Sequence, residues 1–266
     1  LGQPMIVENK PGAGGAIAVY YVARSAPDGY TLTIVNVSNA AIAPWIKKNL
    51  PYDPLNDFVG VSAVAEAPTI VAINDKVPAK TLKEFIEYAK ANPGKINYGS
   101  AGNGTGPHLA AEVLAHMTGI KMVHVPYKGA GPAAVDLASG MVQLGMIAIG
   151  SARGAIAKGQ VRVLAVAGAR RLAALPDVPT FDQAGVSGYD VTNWFGVMAP
   201  RGTPRDVVES LNGHIGQAAE DPPVVQKLAA AGILPMREPV EQFQKRVNAD
   251  YAKWRDIVRE AGVKIQ

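Results

Sequence analysis

The feature that most constrains this chain is a repeated alternation of short apolar runs with amphipathic helical patterns. Residues 30–37 set Leu32, Ile34 and Val37 against Thr31, Thr33 and Asn36, the two-residue period of a strand. Residues 58–65 and 69–73 read as two more strands, split by Pro68. Thr81-Leu82-Lys83-Glu84 is a capping box, and the helix behind it places Leu82, Phe85, Ile86 and Ala89 on one face. Strands at 95–98 and 122–125 are each followed by a loop and a helix, the helices starting at Pro107 and Ala133. Residues 142–149 and 161–167 are apolar enough to be buried strands of a parallel sheet. A strand at 191–199 and a helix opened by Thr203-Pro204 come next. A last helix from about 240 to 261 carries Phe243, Val247, Tyr251, Trp254 and Val258 at helical spacing. Near the start, 5–7 reads as a strand, and Pro11-Gly12-Ala13-Gly14-Gly15 opens a helix through about Arg24. Strands and helices in alternation imply an α/β fold.

Composition narrows the function. With 26 Lys and Arg against 22 Asp and Glu, the net charge of +4 favours anionic small molecules and is no nucleic-acid footprint. There is no cysteine, which removes disulfides, thiolate metal ligands and cysteine nucleophiles together. No run reaches the ~18 apolar residues of a membrane span, and no segment has the pattern of a signal peptide. The N-terminus reads as the middle of an element, so material upstream is expected to be missing.

The strongest site candidate is the run 99–106. Glycines 99, 102, 104 and 106 between a strand and a helix let backbone approach a ligand, and the helix N-terminus attracts anions. Ser100, Asn103 and Thr105 add orientable polar groups. Thr105 stands where a phosphate-binding loop needs lysine, so a carboxylate suits the site better than a nucleotide. The same run also serves as a plain Gly-rich turn with a capped helix. His108, one turn into that helix, is placed to donate to a bound anion. Asn36, Ser38 and Asn39 end the first long strand, where open α/β sheets bind ligands. They equally suit a polar turn before Pro44. Residues 11–15 fail the dinucleotide pattern because Ile17 replaces the last glycine, and close helix–sheet packing is their expected role. The four histidines lack metal spacing, and no G-x-S-x-G nucleophile is present. No metal, cofactor or catalytic residue is expected. A site without assembled chemistry favours binding over catalysis.

Several ordered motifs then resemble one family. They are Val7-Glu8-Asn9-Lys10-Pro11-Gly12-Ala13-Gly14-Gly15, Ala26-Pro27-Asp28-Gly29-Tyr30-Thr31-Leu32 and Leu50-Pro51-Tyr52-Asp53-Pro54. Further on come Asn92-Pro93-Gly94-Lys95-Ile96-Asn97-Tyr98-Gly99-Ser100, His124-Val125-Pro126-Tyr127-Lys128-Gly129, Leu175-Pro176-Asp177-Val178-Pro179-Thr180 and Trp194-Phe195-Gly196. They are similar to the Bug-type (TctC-like) periplasmic solute-binding receptors of tripartite tricarboxylate transporters. The resemblance implies a type II periplasmic binding-protein fold, two α/β lobes with a ligand cleft between them. It places lobe one at 1–98 plus 195–266 and lobe two at 99–194. It also implies that a strand, a Gly-rich loop and a helix precede Leu1. Ser38, Asn39, Ser100, Gly102, Asn103, Gly104, Thr105, His108, Ile147 and Ala148 are the ligand-binding residues it suggests. Ile147 stands where many members have aspartate, which argues for a plain carboxylate rather than an amino acid. Periplasmic placement, delivery to membrane permease subunits and a monomeric state follow from the same resemblance. Sensing through a membrane kinase, or an enzyme in the interlobe cleft, are the competing roles.

Overall fold

The computed structural model describes residues 2, 4–189 and 191–260. Among them the elements run, in chain order, α1 (Ala16–Ala23), β1 (Thr33–Asn36), α2 (Ala43–Ile46), β2 (Phe58–Ala67), β3 (Thr69–Asn74) and α3 (Leu82–Ala91). Then come β4 (Ile96–Ser100), α4 (Gly106–Thr118), β5 (Met122–Pro126), α5 (Ala130–Ser139), β6 (Leu144–Ala148), α6 (Ile149–Ala157) and β7 (Val161–Val166). The last are β8 (Asn193–Pro200), α7 (Arg205–Glu220), α8 (Pro222–Ala230), β9 (Leu234–Pro235) and α9 (Val240–Glu260). The chain divides into two compact units, Leu1–Glu66 with Trp194–Gln266, and Ala67–Asn193.

The first unit holds a four-stranded sheet in the order β1-β8-β2-β9. β1 and β8 are antiparallel, with Thr33 opposite Met198 and Asn36 opposite Phe195. α9 docks by four residues of the stripe its spacing predicts, burying Phe243, Val247, Trp254 and Val258; Asp250 is buried with them, and Tyr251 is only half-buried. The ring of Phe243 lies against Gly60 and Gly196, where added methyl groups would clash with it. Trp194 meets Phe243 edge to face at 5.5 Å and donates its Nε1–H to Asp250 Oδ2 at 2.5 Å. The Trp-Phe-Gly motif therefore does packing work against α9.

The second unit holds a five-stranded sheet in the order β5-β4-β6-β3-β7. β4 runs parallel to β5 and β6, while β3 pairs antiparallel with β6 and β7. All six residues of β3 are buried, as befits an inner strand without a polar face. The Thr81 half of the capping box forms, its Oγ1 accepting the Glu84 N–H at 3.2 Å, while Glu84 Oε2 accepts the N–H of Lys80, one residue before the cap, at 2.6 Å. Ile70, Ala72, Leu137, Val142, Ile147, Ile149 and Val161 gather in the core between sheet and helices.

Several expectations change. Residues 5–7 form no strand, and Met5, Ile6 and Val7 are 62%, 86% and 79% exposed. Tyr30 is also outside any strand, and β1 spans only Thr33–Asn36. The α1 helix starts at Ala16, after a 3-10 turn at Ala13–Gly15. β6 and β7 are buried as expected, but the sheet is mixed, because β3 enters it antiparallel. The second crossing between units falls at 193/194, one residue from the expected 194/195. The first falls at 66/67 rather than 98/99, because β3 and β4 hydrogen-bond into the second sheet.

Candidate functional site

In the second unit, β5, β4 and β6 lie side by side and parallel, and each leads into a helix. β4 ends at Ser100 before α4 at Gly106, β5 at Pro126 before α5 at Ala130, and β6 at Ala148 before α6 at Ile149. Three helix N-termini therefore share one edge of the sheet. Each carries a partial positive charge and N–H groups with no partner inside its helix. A carboxylate at such an edge is stabilised before any basic side chain is counted.

The loop between β4 and α4 is held from within. Gly102 N–H donates to Ser100 Oγ at 3.1 Å, Thr105 Oγ1 donates to Gly102 O at 2.7 Å, and Gly104 N–H donates to His108 Nδ1 at 3.1 Å. Gly102 has φ of 130°, and a Cβ there would stand 3.2 Å from Tyr127 O, so only glycine fits. Gly129 N–H donates to Ala101 O at 3.2 Å and ties in the neighbouring loop. Asn103 is exposed, and its amide side chain has no protein partner among the described residues.

Beneath this loop lies a stack of rings. Tyr98 and His124 face each other across β4 and β5 with centroids 4.8 Å apart, and His108 from α4 stacks on His124 at 4.0 Å. Tyr98 donates its hydroxyl to Glu112 Oε1, which also lies 4.0 Å from His108 Nε2. Burial holds the His108 imidazole below its ordinary pKa. For His124, burial and then the neighbouring His108 push it down to about 4, against an opposing pull from Glu112. Both rings are thus neutral at pH 7. Burial, and then Glu112, push the Tyr98 phenol well up.

The first unit, taken by itself, holds a separate polar place. Asn39 is 7% exposed, and its Oδ1 accepts the Asn36 N–H at 2.8 Å. Its Nδ2 has no protein partner among the described residues and faces Gly15, whose added Cβ would stand 3.4 Å away. Gly12, Ala13, Gly14 and Gly15 all take positive φ, and Lys47 Nζ donates to Ala13 O at 2.6 Å. Four successive left-handed residues, three of them exposed, are a poor design for the packing role expected of them. The density of glycine was the available signal.

The suggested residues thus fall into two groups. Ser100, Gly102, Asn103, Gly104, Thr105 and His108 meet in one loop, with Ala148 on the same sheet edge at the N-cap of α6. Ser38 and Asn39 belong to the other unit, in a π-helical turn at Ser38–Ile42 after β1, which is antiparallel to its neighbour. Two side chains are placed otherwise than expected. Ile147 is 2% exposed within the apolar cluster of Ile70 and Leu137, so its methyls serve the core. His108 offers Nδ1 to the loop rather than to the surface, at 8% exposure. Sequence reasoning missed His124, which lies too far along the chain for its meeting with Ser100 to be read. Among the described residues no three His, Asp or Glu side chains gather as metal ligands, and no helix is long and apolar enough to cross a membrane.

Residues 1–263 match the model of a family described as the tripartite tricarboxylate transporter family receptor. Protein BugT of Bordetella pertussis is 35% identical over 268 residues, covering 100% of this chain and 82% of BugT. The structure of R. palustris Rpa4515 with adipate is 34% identical with a TM-score of 0.88, covering 98% of this chain and 87% of that one. The structure of MatC (Rpa3494) from Rhodopseudomonas palustris with bound malate is 32% identical with a TM-score of 0.84, covering 97% and 88%.

Proposed function

The chain belongs to the tripartite tricarboxylate transporter receptor family, and from that premise we propose that it captures a small dicarboxylate in the periplasm and delivers it, as a monomer, to membrane permease subunits. The observation that carries this reading is the convergence of the α4, α5 and α6 N-termini beside the unpaired amide of Asn103. A carboxylate there exchanges its water for fixed N–H dipoles. Adipate and malate, held by two relatives, are both dicarboxylates and support that class. Gly102, Asn103, Gly104 and Thr105 supply the loop, and Ala148 the start of α6. The loops 100–107, 126–131 and 147–151 contain no Asp or Glu to receive an ammonium group, which favours a plain acid over an amino acid.

The receptor reading is also preferred over an enzyme. Ser100 Oγ lies 2.6 Å from His124 Nε2, a spacing that activates hydroxyl nucleophiles elsewhere. Here the serine is 0% exposed and its oxygen is bound up with the Gly102 backbone, out of reach of a substrate.

Thermal shift against adipate, malate, glutamate and adipamide tests the reading. A ligand bound only by the folded state adds about 2.7 kcal/mol at a hundredfold excess over Kd. We expect a shift with one of the two acids, none with adipamide, and its loss in Asn103→Asp. A larger shift with glutamate than with either acid would sink the plain-carboxylate assignment.

A further inference from the structure

The ring of His108 sits under the β4–α4 loop, yet its exposed edge is nearly nil and its one loop contact is to backbone. We propose that His108 is a positioning residue for the anion site, fixing the Gly102–Thr105 loop through the bond from Gly104 N–H to its Nδ1. The inference rests on reading that loop as the carboxylate site.

The argument runs from proton inventory. A backbone N–H can only donate, so Nδ1 must be the unprotonated nitrogen of the ring and Nε2 carries the hydrogen. An imidazolium has no acceptor left and loses this bond. The surroundings favour the required state. His124 from β5 stacks on the ring at 4.0 Å and disfavours a second charge, and Tyr98 from β4 lies in the same stack at 6.4 Å. Glu112 from α4 lies 4.0 Å from Nε2, on the side where the tautomer places its hydrogen. The ring cannot swing away without vacating that stack. Gly104 is therefore pinned, and with it the approach of Asn103, which precedes it and keeps its amide free. Gly102 is pinned in the same way by Ser100, whose oxygen is fixed in turn by His124. One buried and one half-buried histidine thus hold the two glycines that flank the exposed asparagine.

Two amide replacements separate this role from mere filling of space. Asparagine carries its Oδ1 where histidine carries Nδ1, and so keeps an acceptor for Gly104. Glutamine is closer in bulk to histidine but reaches past that point. We expect His108→Asn to bind adipate within about threefold of wild type by calorimetry at pH 7.5. His108→Gln and His108→Leu should bind at least tenfold more weakly, with far-UV circular dichroism unchanged. Hydrogen exchange of the Gly104 amide, measured without ligand, should be slow in wild type and His108→Asn and faster in His108→Gln. Glutamine equal to or better than asparagine in these measurements would overturn the proposal, since bulk alone would then explain the residue. Wild type that binds neither adipate nor malate would instead remove the carboxylate reading. The exchange comparison would still decide whether His108 sets the loop.

Discussion

Replacing Gly196 with alanine puts a methyl carbon 2.1 Å from Phe243 Cζ, 2.6 Å from Cε2 and 3.0 Å from Cε1. Comfortable carbon contacts begin near 3.5 Å, so the ring must move by more than an ångström. It has nowhere easy to go, because Phe243 is 0% exposed, touches Trp194 and also covers Gly60, whose added Cβ would stand 3.0 Å from its Cδ1. Overpacking of this kind costs about 1–3 kcal/mol and occasionally more, and the depth of this clash puts it at about 3. Phe243→Ala alone should cost about 3–5 kcal/mol by opening a cavity. In the double variant the alanine at 196 fills space the ring has left, so the costs should fall short of their sum by about 2 kcal/mol or more. Trp45, Trp194 and Trp254 all belong to the first unit, so denaturant unfolding followed by tryptophan fluorescence reports on that unit alone. Additivity to within about 0.5 kcal/mol would refute the reasoning, because it would mean that Phe243 and Gly196 do not share the contact.

Three further outcomes follow from named contacts. Trp194 and Trp254 are both fully buried, but Trp194 Nε1–H donates to Asp250 while Trp254 Nε1 has no partner among the described residues. Trp194→Phe should cost about 1–3 kcal/mol more than Trp254→Phe, because it leaves a buried carboxylate short of a donor; equal costs on denaturation would contradict this. The His124 imidazole falls from 6.5 unfolded to about 4 folded, so its neutral form contributes stability that is full above pH 6.5 and is lost as pH drops through 4. That shift corresponds to at most about 3 kcal/mol, and to about 1–2 for a partly solvated ring. Circular dichroism melts at pH 7.5 and 4.5 should show a smaller loss in His124→Gln than in wild type. Asn39→Leu should cost about 1–2 kcal/mol of stability, because it removes the acceptor for the Asn36 N–H; an unchanged denaturation midpoint would contradict this.

Much of the architecture is legible because it is local. The capping box at Thr81, the helical stripe from Phe243 to Val258 and the strand-to-helix glycines each state their structure within a few residues. What was not legible depends on partners far along the chain. The paired runs around Pro68 look like one local unit, yet β2 and β3 belong to different sheets, since β3 finds β6 and β7 71 to 96 residues later. Residues 5–7 have strand composition, but among the described residues they have no strand to pair with. The Gly102–Thr105 loop was readable from its glycines. The histidines that hold it were only half readable, because the meeting of Ser100 with His124 spans 24 residues and two strands. Ile147 misled for a related reason: a position compared along the sequence says nothing of which face of β6 the side chain takes.

The central claim is that the clustered helix N-termini and their loop hold a carboxylate by its charge and its acceptor oxygens. The most direct test is calorimetry of the intact protein with adipate and malate, each compared with its diamide at pH 7.5. The diamides keep the length and lose the charge. The account predicts one site for at least one acid, with its diamide bound at least a hundredfold more weakly, about 2.7 kcal/mol. Equal affinity for acid and diamide, or heat from neither acid, would contradict it.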